Sequence, residues 1–175
     1  MHDTDRVVIA LSKVKLSLVV VGALLFVAGG VWLLAIADTQ TRYLPTYIKG
    51  VAILAIGFFG LCTLYGLRKL FDGSPGLILD REGIMDNSSG ISVGRVAWRE
   101  IRDIQVVSIH GQRLLALFVS DHQRYLGRGN LLSRLFRKMN YRWYGTPVFI
   151  SAHGLKVPFK DLETQIRDFR ARYGS

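Results

Sequence analysis

The side chains able to do chemistry in this sequence are few and scattered. Its four histidines, His2, His110, His122 and His153, have no metal-ligand spacing, and its one cysteine, Cys62, falls inside an apolar run. Neither an intramolecular disulfide nor a cysteine metal site can form. Asp121-His122 is the one acid and histidine neighbour pair, and it reads as a polar turn after a strand. Gly127-Arg128-Gly129 has the glycines of a phosphate-holding turn without the Lys-Ser/Thr that completes one, so it reads as a hinge. Ser108, Ser120 and Ser151 have no nucleophile elbow around them. These residues point away from an enzyme and require no catalytic residue, metal or cofactor.

What the chain does concentrate is positive charge. It holds 23 Lys and Arg against 13 Asp and Glu, a net charge of +10. Of these, 18 bases and 10 acids lie from Arg68 to Tyr173. Such a field draws lipid head groups, nucleic acid or acidic proteins. Within it, the segment from Asn130 to Tyr141 has helical periodicity. Leu131, Leu132, Leu135, Phe136 and Met139 fall on one side, Arg134, Arg137 and Lys138 on the other, and Asn130 is placed as the N-cap. Tyr141, Trp143 and Tyr144 are aromatics suited to head-group depth. The residues expected to meet an anionic lipid surface are Arg128, Arg134, Arg137, Lys138, Arg142 and Trp143. Interleaved bases and aromatics also suit single-stranded nucleic acid. Lipid is the simpler partner for a chain held at a membrane. Whether helix 130–141 docks its apolar side on the domain or on the bilayer is open from sequence.

The anchor is read from two uncharged runs. Leu16 to Ala37 has 22 residues, roughly 33 Å as a helix, and Gly50 to Leu67 has 18, roughly 27 Å, against a bilayer core of about 30 Å. A short link with Pro45, Tyr43 and Tyr47 makes the two spans antiparallel neighbours, residues 1–71 forming a transmembrane hairpin. Gly22 and Gly29, and Gly50 and Gly57, repeat seven apart and offer seams for close helix contact. Arg6, Lys13, Lys15, Arg68 and Lys69 flank the outer ends against Arg42 and Lys49 in the turn, which predicts both termini in the cytoplasm. A cleaved signal peptide ending near Ala35-Ile36-Ala37 is the rival, and the run is too long for one.

Asp72-Gly73-Ser74-Pro75-Gly76 is turn chemistry and opens a domain over residues 76–175. Strands are predicted at Leu77 to Leu79, Gly83 to Met85, Gly94 to Trp98, Ile104 to Ile109, Leu114 to Ser120, Pro147 to Ser151 and Leu155 to Val157. Leu162, Ile166, Phe169 and Tyr173 form one apolar stripe on a closing helix. Trp98 is expected in the core.

The residues Leu77-Ile78-Leu79-Asp80, Glu82-Gly83-Ile84, Asp86, Trp98, Ile101 and Ile104 resemble the opening of bacterial PH-like domains. Together with the hairpin, Gly145-Thr146-Pro147, Phe149-Ile150-Ser151 and the terminal Tyr173-Gly174, the chain is similar to a bacterial family of two-span inner-membrane proteins of unknown function. The resemblance implies an α+β membrane protein: a transmembrane helical hairpin, then a PH-like antiparallel β-barrel or roll with a C-terminal helix, in the bacterial inner membrane. Asp86-Asn87-Ser88-Ser89-Gly90 stands where phosphoinositide-binding PH domains carry bases, which argues against inositol-lipid recognition there. The function expected is a non-enzymatic module binding anionic lipid or a protein partner at the cytoplasmic face. The alternative is a small effector whose hairpin forms a homo-oligomer and perturbs the bilayer.

Overall fold

The computed structural model describes residues 5–40, 43–109 and 111–174; His2, Arg42 and His110 lie outside them. The chain is α+β and divides into two units, Lys13–Gly73 and the pair of segments Met1–Ser12 with Ser74–Ser175.

The helical unit follows from its two uncharged runs, whose backbone groups are satisfied within each helix. Helix α1 spans Lys13–Ile36 and runs into a 3-10 turn at Ala37–Thr39, and α2 spans Pro45–Phe71. Pro45 starts α2, where its missing N–H costs nothing. At 24 and 27 residues they reach roughly 36 and 40 Å. By length and composition both are able to cross a membrane. Lys49 pairs with Asp38 at 2.8 Å at the linked end of the two helices, and Phe26 stacks on Phe59 at 4.3 Å.

Close approach between α1 and α2 runs through glycines other than those expected. A Cβ on Gly30 would stand 2.7 Å from Ile56 Cγ1, and one on Gly66 2.5 Å from Val20 Cγ2. Gly22, Gly29, Gly50 and Gly57 face open space. The seven-residue repeat is real but lies off the seam, because a step of one residue turns a helix position by about 100°.

Among the described residues the second unit holds seven strands in two antiparallel sheets. β1 (Val7–Ile9), β2 (Leu77–Leu79), β3 (Gly83–Asp86) and β4 (Gly94–Ala97) form one sheet in that order. β5 (Ile101–Ile109), β6 (Gln112–Val119) and β7 (Val148–Ser151) form the other. Three helices accompany them: α3 (His122–Leu126), α4 (Leu131–Tyr144) and α5 (Phe159–Tyr173).

Strand β1 revises the expected boundaries. Val7 pairs with Leu79 and Ile9 with Leu77, so the residues before α1 belong to the sheeted unit rather than to the hairpin. The helical hairpin is therefore an insertion between two neighbouring strands of one sheet. Beyond β1, Ser12 N–H donates to the Gly154 carbonyl at 2.8 Å and Lys156 N–H to that of Ala10 at 3.0 Å. Leu11 bridges Leu155, and this single bridge replaces the strand expected at Leu155 to Val157. The two sheets do not close into a barrel; each keeps its own edges.

One apolar core fills the unit. Leu77, Leu79, Ile84, Leu115, Leu117 and Ile150 enter from the strands, and Leu162, Ile166 and Phe169 from α5, as the stripe requires. Trp98 is buried, with its ring 6.3 Å from that of Phe169, and its Nε1–H donates to the Asp80 carbonyl at 2.7 Å.

Asp80 itself organises the β2–β3 turn. Its carboxylate accepts the N–H groups of Glu82 and Gly83, both at 3.0 Å, and a two-pronged bond from Arg95 at 2.8 and 3.1 Å. Burial pushes its pKa up, but Arg95 and the two backbone donors outweigh that and hold it below the ordinary value. A carboxyl with a depressed folded-state pKa contributes stability that is fully present above its unfolded value, about 4, and is lost as pH falls through the folded one. Melting of the wild type between about pH 5 and pH 3 should therefore fall more steeply than that of Asp80→Asn, which has nothing to titrate at this position.

Candidate functional site

Helix α4 is amphipathic, and the structure settles which side faces the domain: the polar one. Asn130 caps it, its Oδ1 accepting the Ser133 N–H at 2.9 Å, and Gly145 ends it in the left-handed region at φ 74°. Asn130→Ala should cost about 1 kcal/mol, a melting shift of several degrees at most.

The inward row is Ser133, Arg137, Asn140 and Tyr144, spaced four, three and four. Ser133 and Arg137 are buried, Arg137 to 2% exposure. Arg137 donates to the carbonyls of Ile91 at 3.2 and 3.3 Å, Ser92 at 2.8 Å and Tyr125 at 3.4 Å, and to that of Arg128. Two loops, one after β3 and one after α3, thus hang their unladdered carbonyls on one guanidinium. Its planar fork of five N–H groups suits that task, since one side chain can serve several carbonyls that no strand ladder pairs. Burial, and then the neighbouring charges of Arg128 and Arg134, push its pKa down from the usual arginine value. At neutral pH the group still carries its charge. Aromatic contacts finish the docking: Tyr141 stacks on His122 at 4.5 Å, and Tyr144 meets Phe149 edge-on at 5.5 Å.

The outward face is the apolar one. Leu131, Leu132, Leu135, Phe136 and Trp143 are exposed, Leu131 to 83%, and Met139 lies between them half-buried. Arg134, Lys138 and Arg142, four residues apart, run along one flank of this stripe and are exposed too. Five large apolar side chains on four turns of one helix exceed the scattered exposure that needs no explanation.

Of the six residues expected at a lipid surface, Arg134, Lys138, Arg142 and Trp143 share this face. Arg137 does not, because it is buried beneath the helix. Arg128 is half-buried, donating to the carbonyls of Val93 at 3.2 Å and Arg95 at 2.9 Å, with its guanidinium 4.6 Å from the Tyr125 ring centre. Asp121 caps α3 by accepting the Arg124 N–H at 3.2 Å, and His122, the first residue of that helix, lies 3.1 Å from the Tyr141 hydroxyl, so a helix start stands where a turn was expected. Among the described residues no group of three or more His, Cys, Asp or Glu is placed to hold a metal ion.

Sequence reasoning missed a second basic feature. Arg81, Arg95, Arg99, Arg124 and Arg128, with Glu82 and Glu100, line a cavity of about 550 Å³ beside the 3-10 turn at Trp98–Glu100. The arginines come from three separate stretches between residues 81 and 128, so no local pattern marks them. Comparison with family models, with curated proteins and with solved structures finds no match for the chain.

Proposed function

We propose that the chain is a non-enzymatic, membrane-anchored module whose PH-like domain lies against the anionic lipid surface at the cytoplasmic face, seated on the outward face of α4. One observation carries the reading: an amphipathic helix that turns its leucines, Phe136 and Trp143 outward and its buried arginine inward. Such a face needs an apolar partner, and its flank of Arg134, Lys138 and Arg142 matches a surface that is both apolar and negative. A bilayer has both properties. Two helices of membrane-spanning length keep the domain near one.

The chain path supports a single-sided arrangement. Because β1 precedes α1 and pairs with β2 after α2, an inserted hairpin must leave and return on the same side. Arg6, Lys13, Lys15, Arg68 and Lys69 at that end give the cytoplasmic assignment. Four strands and three strands in two sheets, with a helix at the C-terminus, support the PH-like reading. The bacterial inner membrane is proposed on the resemblance read from the sequence, from Leu77-Ile78-Leu79-Asp80 to Tyr173-Gly174.

The test uses the full chain in nanodiscs. An environment-sensitive fluorophore on Leu135→Cys, in a Cys62→Ala background, should be blue-shifted and shielded from an aqueous quencher in discs containing phosphatidylglycerol. In neutral phosphatidylcholine at high salt it should be less so. A fluorophore equally open to water in both discs overturns the proposal. Shielding that depends on protein concentration rather than lipid charge would mean that a second copy covers the face, as the hairpin-oligomer alternative requires.

A further inference from the structure

The arginine-lined cavity is an independent feature, sharing no residue with the outward face of α4. We propose that it is a binding site for a phosphate ester. Its five arginines outnumber the two glutamates of the lining and, with Asp5 and Asp80 behind it, the four carboxylates bonded to them. A volume of about 550 Å³ is that of a small-molecule site.

The carboxylates around it offset part of the charge and hold three of the guanidinium groups in place. Arg95 is fixed by Asp80 at 2.8 Å and Glu82 at 2.9 Å, and Arg81 by Asp5, which also accepts the Tyr173 hydroxyl. Arg124 is fixed by Glu100, which accepts the Tyr125 hydroxyl as well. Arg128 is held by two backbone carbonyls and by the face of Tyr125, so no acid offsets its charge. Among the described residues Arg99 makes no ion pair and is exposed. Arg124 and Arg128 thus present unused N–H groups from positions already restrained, Arg99 adds an unpartnered guanidinium beside them, and guanidinium forks match the oxygens of a phosphate two at a time. Restraint before binding lowers the ordering cost of capture. Mobile surface lysines would offer neither the fork nor the restraint.

The phosphate could belong to a soluble ester or to a lipid head group, and the experiment separates them. Full-length protein in neutral phosphatidylcholine nanodiscs is titrated calorimetrically with inorganic pyrophosphate and with glycerol 3-phosphate. Saturable one-site binding is expected, weakened at least tenfold by Arg99→Ala and by Arg124→Ala and partly restored by Arg99→Lys. Arg99 carries no structural contact, so its removal leaves the fold intact. Glutamate at Arg134 and Lys138 should leave this binding unchanged, which keeps its outcome separate from the fate of the α4 face. If phosphatidic acid in the disc displaces glycerol 3-phosphate, the ligand is a head group; if it does not, the ligand is a soluble ester, and both support the site. No saturable binding at low ionic strength, or binding that Arg99→Ala and Arg124→Ala leave untouched, overturns it.

Discussion

Replacing Arg137 by alanine is expected to bring the sheeted unit to the edge of unfolding. The guanidinium serves the carbonyls of Ile91, Ser92, Tyr125 and Arg128 in a site only 2% exposed. A buried polar group left unpaired costs about 1 to 3 kcal/mol. The Tyr125 carbonyl also accepts the Arg128 N–H at 3.5 Å, and the other three amount to at least about 3 kcal/mol, against a total stability of about 5 to 15. Lysine keeps the charge but not the planar fork, and it should recover only part of the loss. Thermal denaturation of the full chain in nanodiscs, followed by tryptophan fluorescence, reads both variants. A melting temperature within two degrees of wild type for Arg137→Ala would show that the loops have other donors. A charge reversal at Arg137, which the sequence alone suggests as a probe of lipid contact, would test stability instead.

The second large effect concerns the bases that do lie outward. Changing Arg134, Lys138 and Arg142 together to glutamate should release α4 from an anionic surface without unfolding the unit. All three are exposed, and the one hydrogen bond among them, from Arg134 Nε to the Gly129 carbonyl, is on the surface. Each base near such a surface contributes about 1 kcal/mol. Removing three therefore costs about 3 kcal/mol, a shift of more than a hundredfold, and the reversed charges add repulsion. Hydrogen exchange of residues 131–144 should rise toward its value in neutral discs, while that of β5 and β6 stays slow. Unaltered exchange in α4 would mean that charge does not hold it.

The sequence was legible where one local signal decided the structure. Uncharged runs of 22 and 18 residues gave α1 and α2, and Leu162, Ile166 and Phe169 gave the buried stripe of α5. It was less legible where distant partners decide. Val7 to Ile9 is a run of three beside a much longer apolar run, and only its pairing with β2, some seventy residues away, makes it a strand. Helix α4 was found with its cap, but periodicity shows that a helix has two faces without showing which one is inside. Polar residues are usually outward because few buried groups need them. Here two loops bring carbonyls that do. One clue was present: Arg134, Lys138 and Arg142 share a row at spacings of four, while Arg137 falls instead in the row of Ser133 and Tyr144. A base outside the basic row is a candidate for a buried task. The arginine cavity had no comparable trace, since the turn after β2, β4 with the turn that follows it, and α3 with its C-terminal end assemble it.

The most direct test of the account is a nitroxide scan along α4, placing one label at a time at residues 131–143, the buried 133 and 137 excepted, of the full chain in phosphatidylglycerol-containing liposomes, in a Cys62→Ala background. Accessibility to oxygen and to a water-soluble nickel chelate gives the depth of each position. If α4 lies in the interface, labels at 131, 132, 135, 136, 139 and 143 should favour oxygen over the chelate, those at 134, 138 and 142 should sit at head-group level, and the pattern should repeat every 3.6 residues, as on a helix. Chelate accessibility at 131, 132, 135 and 136 equal to that of an exposed label on α5 would place this face in water and contradict the account.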